Sequence, residues 1–316
     1  MRGQEPPARA LADELYRREG RRLFWLAYRM TGTREDADDV VQEAFVRLVS
    51  ESEPVERPTG WLVRVVSRLA VDVLRRRRRR AYVGPWLPEP VETPPDDGLD
   101  ELPSGTPDPE QRYGEMESVT FAFLLALEAL GPRQRAVLVL RDAVGQTVRE
   151  TAEALSTSEA NVRVLHHRAR RALEAYDRAR CVPNRAMRER HRAALEAFLA
   201  ALESQDGARV ESLLSESAST LTDAGGSYTA LPARLAGRRS VARFYLAATQ
   251  HRQRGGTRRA LCLVNGLPAA LVTVVHPVRR QAPHTLLRCE LDAEGRIAEV
   301  QALLAPPKLL RLPFPG

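Results

Sequence analysis

Residues 147–173 read TVRETAEALSTSEANVRVLHHRARRAL, and the fold of the middle of the chain turns on them. Thr147 to Leu155 has the length of a short helix, Ser156-Thr157 makes a turn, and Ser158 is an N-cap for a second helix expected to run to about Arg180. Val162, His166, Ala169 and Leu173 follow at i, i+4, i+7 and i+11, which sets a buried face with His166 as a buried or semi-buried core histidine. Glu159, Asn161, Arg163, Arg168, Arg170 and Arg171 lie on the other face. The spacing predicts a helix-turn-helix with a basic second helix, a shape that enters a DNA major groove with its first side chains at base edges and its arginines on phosphates. An ordinary helical hairpin with a charged outer face has the same pattern, so the reading needs support from the rest of the chain.

Working outward, Phe121 to Leu130 reads as an apolar helix stopped by Gly131-Pro132, and Arg133 to Arg141 starts another. Residues 113–181 are therefore expected to form one helical domain. Before it, residues 81–112 read as a linker. From Gly84 to Glu110 there are eight prolines, eight Asp or Glu residues and no Lys or Arg, so a continuous helix is forbidden and the backbone stays extended. An acidic tether carrying Asp96, Asp97, Asp100 and Glu101 would be repelled by DNA and would favour a basic channel on a partner. Trp86, held between prolines, is rigid and apolar and suited to bury against another domain.

Residues 8–80 read as a second helical lobe. Ala8 to Met30 is one or two amphipathic helices, and the next helix begins after Thr33 with the acid cluster Glu35, Asp36, Asp38 and Asp39. A polar loop, Ser50 to Pro58, leads to a third helix with Trp61, Leu62, Val65, Val66, Leu69 and Ala70 on its apolar side and Arg64 and Arg68 on its polar side. It ends in six consecutive arginines, Arg75 to Arg80, which can offer several phosphate contacts at once. Trp61 reads as a core residue of the helix start or a platform for an unpaired base.

Residues 186–316 change period. Met187 to Leu202, Ala208 to Leu214 and Ser240 to Gln250 read as helices; Ala260 to Val264, Ala269 to Val275, Thr285 to Leu291 and Ile297 to Leu304 read as strands. Turns are expected at Asn265-Gly266 and at Asp292 to Gly295. Helices followed by an antiparallel curved sheet predict an α+β cone with an internal cavity. Asp223, His276 and His284 are the only acid/base candidates for that cavity; scattered as they are, they are read as structural, and no catalytic residue is assigned.

Composition agrees with a polyanion partner. Lys plus Arg is 48 against 41 Asp plus Glu, a net charge of +7. Only one lysine, Lys308, occurs, so arginine abundance is partly genomic and only its placement counts. Cys181, Cys262 and Cys289 have neither disulfide nor zinc spacing, and no metal or cofactor is expected. Neither an apolar leader nor an 18-residue apolar run occurs, which predicts a cytoplasmic protein without membrane contact, monomeric when free.

Taken together, these residues resemble a bacterial extracytoplasmic-function (ECF) sigma factor. Tyr28-Arg-Met-Thr-Gly with Asp36-Ala-Asp-Asp-Val-Val-Gln-Glu-Ala-Phe45 is similar to sigma region 2, and Val162-Arg-Val-Leu-His-His-Arg-Ala-Arg-Arg-Ala-Leu173 to region 4. Trp86-Leu87-Pro88-Glu89-Pro90 is similar to the SigJ-type subgroup, whose sigma lobes are fused to a C-terminal SnoaL-like (NTF2-like) domain. The resemblance implies two all-α lobes plus an α+β cone. It also implies polymerase core and promoter DNA as partners, with docking on clamp and flap. Asp36, Asp38, Asp39, Gln42, Glu43 and Phe45 would dock on the polymerase clamp. Trp61, Arg64, Arg68, Arg75, Arg76, Arg77 and Arg78 would serve the minus-10 element. Ser158, Glu159, Asn161, Arg163, His167, Arg168, Arg170 and Arg171 would serve the minus-35 element. Trp86, Leu87, Pro88, Glu89 and Pro90, with Asp223, Gly225, Gly226, Lys308 and Leu309, would let the cone regulate in cis, with a cavity able to hold a small ligand. The chain departs from the family at Leu165, where arginine is common, at His166, where leucine is common, and near Ser156, where a glycine is missing. Two other classes fit the same elements: a ligand-responsive helix-turn-helix regulator, and a SnoaL-like enzyme with a helical appendage.

Overall fold

The structure is a computed structural model that describes residues 7–79, 82–93 and 114–316. Arg80, Ala81 and the acidic residues Asp96, Asp97, Asp100 and Glu101 lie outside the described residues. The chain divides into two compact units, one holding the described residues up to 79 and 114–181, the other 82–93 and 182–316.

The first unit begins with a three-helix bundle: α1 (Pro7–Thr31), α2 (Arg34–Ser50) and α3 (Pro58–Arg79). α1 is a single unbroken helix. Leu23, Leu26 and Met30 of α1, Val40, Val41 and Ala44 of α2, and Leu62, Val66 and Ala70 of α3 supply the core. Thr33 caps α2, its hydroxyl accepting from the Asp36 amide.

The same unit continues through α4 (Phe121–Ala126), α5 (Pro132–Leu138), a π-helical turn at Val139–Ala143, α6 (Val148–Leu155), α7 (Glu159–Ala172) and α8 (Glu174–Arg178). The helix-turn-helix forms as its local sequence requires. Thr147 and Glu150 make a reciprocal capping box at the start of α6. Ser156 closes α6 in the left-handed region, φ 47°, where glycine is easier, and Ser158 caps α7. Val162, Ala169 and Leu173 are buried as expected. The helix does not continue to Arg180, however. Leu173, at φ −95° and ψ 5°, breaks it, and α8 turns so that the Tyr176 ring meets Phe123 at 5.5 Å and its hydroxyl donates to Glu117 at 2.9 Å. Burial of that ring decides against a straight helix.

The second unit contains α9 (Arg185–Glu203), α10 (Gly207–Leu213), α11 (Arg238–Gln253), α12 (Pro306–Leu309) and one six-stranded sheet. The strands are β1 (Leu214–Asp223), β2 (Leu235–Ala236), β3 (Thr257–Val264), β4 (Leu267–Val274), β5 (His284–Leu291) and β6 (Ile297–Leu303), in the order β2-β1-β6-β5-β4-β3. Leu214 opens β1 rather than ending a helix. The four expected strands, β3 to β6, pair antiparallel, and β1, which was not expected, adds a parallel pairing to β6. Asn265, φ 52°, and Gly266, φ 81°, make the tight β3–β4 turn that this dipeptide predicts. Phe198, Leu199 and Leu202 of α9 and Val241 and Tyr245 of α11 pack on Ala270, Leu287 and Val300 to close the cone.

Candidate functional site

The DNA-reading candidates are presented by α7. Ser158 accepts from the Asn161 amide at 3.2 Å, and the Asn161 side chain donates to Thr157 at 2.8 Å. Glu159, Arg163, His167, Arg168 and Arg171 are exposed, with Arg163 paired to Glu159 at 2.8 Å. Arg170 is different. It donates twice to Asp142, at 3.0 Å each, and His166 Nε2 approaches the same carboxylate at 2.7 Å. The two departures at 165 and 166 thus have structural uses: Leu165 packs against the Val137–Ala152–Val162 cluster, and His166 ties α7 to the π-helical turn.

Asp142 is 1 % exposed. Burial opposes its ionisation, yet the hydrogen bonds and charges of His166 and Arg170 hold the carboxyl below the usual carboxylate range. A carboxylate whose folded pKa is depressed adds stability above its unfolded pKa, about 3.9, and that contribution is lost as pH falls through the folded value. Melting temperatures of wild type and Asp142→Asn measured from pH 5 to pH 3 are expected to converge on acidification, with the variant less stable at pH 5; parallel curves would contradict the assignment.

The minus-10 candidates sit on α3. Trp61 is half-buried, Arg64, Arg75, Arg76 and Arg78 are exposed along most of their length, and Arg75 pairs with Asp72 at 2.9 Å. Arg68 reaches the Ser156 hydroxyl at the helix-turn-helix corner, and Arg64 shares a shallow pocket with Arg149, Glu153 and Glu159. The end of the arginine run is bound within the unit. Arg77 donates to Glu128 at 2.7 and 2.8 Å and to the Thr31 carbonyl at 2.6 Å, and Arg78 donates to the Leu130 carbonyl. Arg135, 2 % exposed, pairs with Glu128 from the other side. Burial lowers the Arg135 pKa to about 10; for Glu128 burial pushes upward, but Arg135 and Arg77 outweigh it and hold the carboxyl low. Sequence reasoning missed Glu128, although one acid inside the apolar run Phe121 to Leu130 is a signal that a cation is coming.

Of the clamp candidates on α2, Asp39, Gln42 and Glu43 are exposed, Glu43 pairing with Arg47 at 2.8 Å. Asp36 is occupied with the Thr33 hydroxyl at 2.6 Å, and Asp38 lies 3.9 Å from Arg34. Phe45 is buried, its ring edge-on to Tyr16 at 5.2 Å, so it packs the bundle rather than presenting a surface.

In the second unit three of the linker and cone residues singled out from sequence, Leu87, Gly225 and Lys308, meet at the carboxylate of a fourth, Asp223. Asp223, at the end of β1 and 0 % exposed, accepts from the Tyr82 hydroxyl at 2.6 Å, the Leu87 amide at 2.8 Å, the Lys308 ammonium at 2.8 Å and the Gly225 amide at 3.1 Å. Lys308, from α12, also donates to the Leu87 carbonyl at 2.6 Å and lies over the rings of Tyr82 and Trp86, 4.9 and 4.7 Å from their centroids. Trp86 is accordingly half-buried, and Leu87 to Pro90 are buried. Gly225 and Gly226 adopt φ +55° and +80°, a region that favours glycine, and a Cβ would be tight, 3.3 Å from the Tyr82 oxygen and 3.3 Å from Val83. Downstream, Thr93 donates to the Leu263 carbonyl at 2.8 Å and Asn265 donates to the Val91 carbonyl at 2.9 Å, so Val91 to Thr93 follows the β3–β4 turn. Leu309 is buried beside Lys308. Tyr82 was not anticipated from sequence.

Asp223 is thus a structural carboxylate. Among the described residues none of its hydrogen-bond partners is a histidine, His276 is exposed, and the His284 ring packs on Phe314 at 4.5 Å. Among the described residues no cluster of His, Cys, Asp and Glu is arranged to hold a metal, and no helix is long and apolar enough to cross a membrane.

Known proteins share this architecture. Residues 15–80 match sigma-70 region 2, and residues 120–173 match sigma-70 region 4. The ECF RNA polymerase sigma factor SigJ of Mycobacterium tuberculosis is 38% identical over 248 residues, 77% of this chain and 75% of that protein. SigG of the same species is 38% identical over 190 residues, and there the chain covers 50% of the relative. The crystal structure of M. tuberculosis SigJ superposes with a TM-score of 0.72 at 30% identity, covering 96% of this chain and 100% of that one. With region 2, region 4 and an α+β cone of the SnoaL/NTF2 type in one chain, and with that identity across three-quarters of a relative, the chain belongs to the ECF RNA polymerase sigma factors, a family of transcription initiation factors and not of enzymes.

Proposed function

We propose that this sigma factor carries RNA polymerase core to promoters through α2 and α7 and that its cone regulates initiation in cis by holding the linker. The carrying observation is the Asp223 clasp, which fixes Tyr82 and Leu87 through three hydrogen bonds involving one buried ion pair. Asp39, Gln42 and Glu43 form the exposed acid face offered to the clamp, and region 4 docks on the flap. Arg163, His167, Arg168 and Arg171 face the minus-35 element, and Ser158, Glu159 and Asn161 stand where helix-turn-helix proteins meet base edges. Trp61, Arg64, Arg68, Arg75 and Arg76 serve the minus-10 element. The protein acts in the cytoplasm as a monomer until it meets core.

The packed first unit supports a closed resting state. Arg68 of α3 contacts Ser156 of the helix-turn-helix, and Arg77 and Arg78 are spent on Glu128 and Leu130. Side chains assigned to the minus-10 element are thereby engaged with the helix-turn-helix corner and with the segment joining α4 to α5. Opening exchanges these contacts for phosphates. A linker pinned to the cone is likewise withheld from a polymerase channel, so releasing the clasp favours initiation.

Run-off transcription with core polymerase and full-length protein tests this. Asp223→Ala is expected to raise promoter-dependent transcripts at least threefold at equal sigma concentration. Output equal to wild type would sink the regulatory reading. Tight, sequence-specific binding to duplex DNA without core would instead favour a conventional helix-turn-helix regulator.

A further inference from the structure

The cone encloses a cavity of about 730 Å³, within the size range of pockets for drug-sized ligands. Its body is apolar: Leu199, Leu202, Phe244, Leu287 and Leu304 line it. Its polar lining is lopsided. Arg252, Arg258, Arg259, Arg279 and Arg280 stand against a single acid, Glu203, five cations to one anion. Glu203 is already paired with Arg259 at 3.1 Å. The sheet register brings Arg259 and Thr285 to one wall. Arg259 lies opposite Val272 across β3–β4, and Val272 lies opposite Thr285 across β4–β5, so the three share one face of the sheet.

Three of the lining residues are short of partners. Arg252, half-buried on the last turn of α11, forms no ion pair among the described residues, and burial lowers its pKa. Thr285 is 1 % exposed, and its hydroxyl has no hydrogen-bond partner among the described residues. The same holds for the buried Gln281 Nε2, whose Oε1 is already taken by the Val278 amide at 3.0 Å. Buried polar groups in folded proteins are almost always paired, and leaving one unpaired is costly. A cation, a hydroxyl and an amide N–H₂ on one cavity are all donors, and what satisfies donors around an apolar body is an acceptor carrying negative charge.

We propose that the cone binds an amphipathic organic acid, its hydrocarbon part against Leu199, Leu202, Phe244 and Leu287 and its carboxylate against Arg252, Thr285 and Gln281. Thr222 and Leu304 line the same cavity and directly adjoin Asp223 and Ala305 in sequence. The regulatory purpose of such a ligand rests on the reading above; its binding does not.

Calorimetry on the full chain tests the proposal, with dodecanoate and the uncharged dodecan-1-ol as probes. Dodecanoate is expected to bind at least tenfold more tightly than the alcohol. Arg252→Met is expected to abolish that preference while leaving the alcohol's affinity within about twofold, which also shows the cavity intact. Thr285→Val is expected to weaken dodecanoate severalfold by removing one donor. Equal affinities for acid and alcohol, no binding of either, or a preference that survives Arg252→Met would overturn it. Because no step involves polymerase, a negative result here leaves the transcription result standing, and the reverse.

Discussion

Asp223→Ala is expected to destabilise the second unit by about 3–5 kcal/mol, the cost of breaking a buried ion pair and leaving one partner uncompensated. The partner left behind is Lys308, whose side chain is 10 % exposed. It keeps the Leu87 carbonyl and the two aromatic rings, which places the loss toward the lower end of that range. The Tyr82 hydroxyl and the Leu87 amide lose their acceptor in the same step, so the damage is concentrated in the linker. Amide hydrogen exchange reads this locally. In the variant, the Leu87 amide is expected to exchange at least a hundredfold faster. The amide of Val91, held separately by Asn265 Oδ1 at 2.8 Å, should be affected less. Unchanged exchange at Leu87 would mean that Asp223 does not hold the linker. Lys308→Met is the complementary variant: three donors still reach Asp223, but its charge loses its counter-ion, and a smaller loosening is expected.

How much of this could be read in advance depended on distance along the chain. The helix-turn-helix was legible because its determinants are local: Thr147 and Glu150 cap one helix, Ser158 caps the next, and Val162, Ala169 and Leu173 repeat at helical spacing. The strand β1 was not. Leu214 to Asp223 is rich in Ser and Thr, and its last six residues are buried without the alternation that marks a half-exposed strand. Its parallel partner β6 begins about eighty residues later, and no local pattern announces that pairing.

Site residues divide the same way. Asp223, Gly225, Gly226, Trp86 and Lys308 were singled out through resemblance, and the structure places them around one clasp. Tyr82 escaped notice because a tyrosine in a linker carries no signal of its own. Asp142 escaped because its partners, His166 and Arg170, are 24 and 28 residues away. The arginine run shows the converse. Six like residues suggest one role, yet Arg75 stays on its own helix while Arg77 and Arg78 cross to Glu128 and Leu130.

That difference makes Glu128→Ala the second large effect. Glu128 holds Arg77 and Arg135 at once, and Arg135 has almost no access to water that would replace it. Removing the carboxylate leaves a buried guanidinium unpaired, and the first unit is expected to lose about 3–5 kcal/mol, seen as a lower midpoint in guanidinium chloride. Glu128→Gln keeps the shape and one acceptor oxygen and should lose less. The wild-type contribution carries a definite pH sign: with its carboxyl held low by the two arginines, Glu128 stabilises the fold above the unfolded glutamate pKa, about 4.3, and that support fades as pH falls through the folded value. The same substitution takes away the carboxylate that holds Arg77, leaving its bond to the Thr31 carbonyl. If the closed packing withholds that cation from DNA, the variant should bind non-specific duplex more tightly at low salt. Its log affinity should also fall more steeply with log salt, by roughly 0.9 for each additional phosphate neutralised. A destabilised variant with an unchanged salt slope would leave Glu128 as a core ion-pair partner only and would give Arg77 no part in DNA binding.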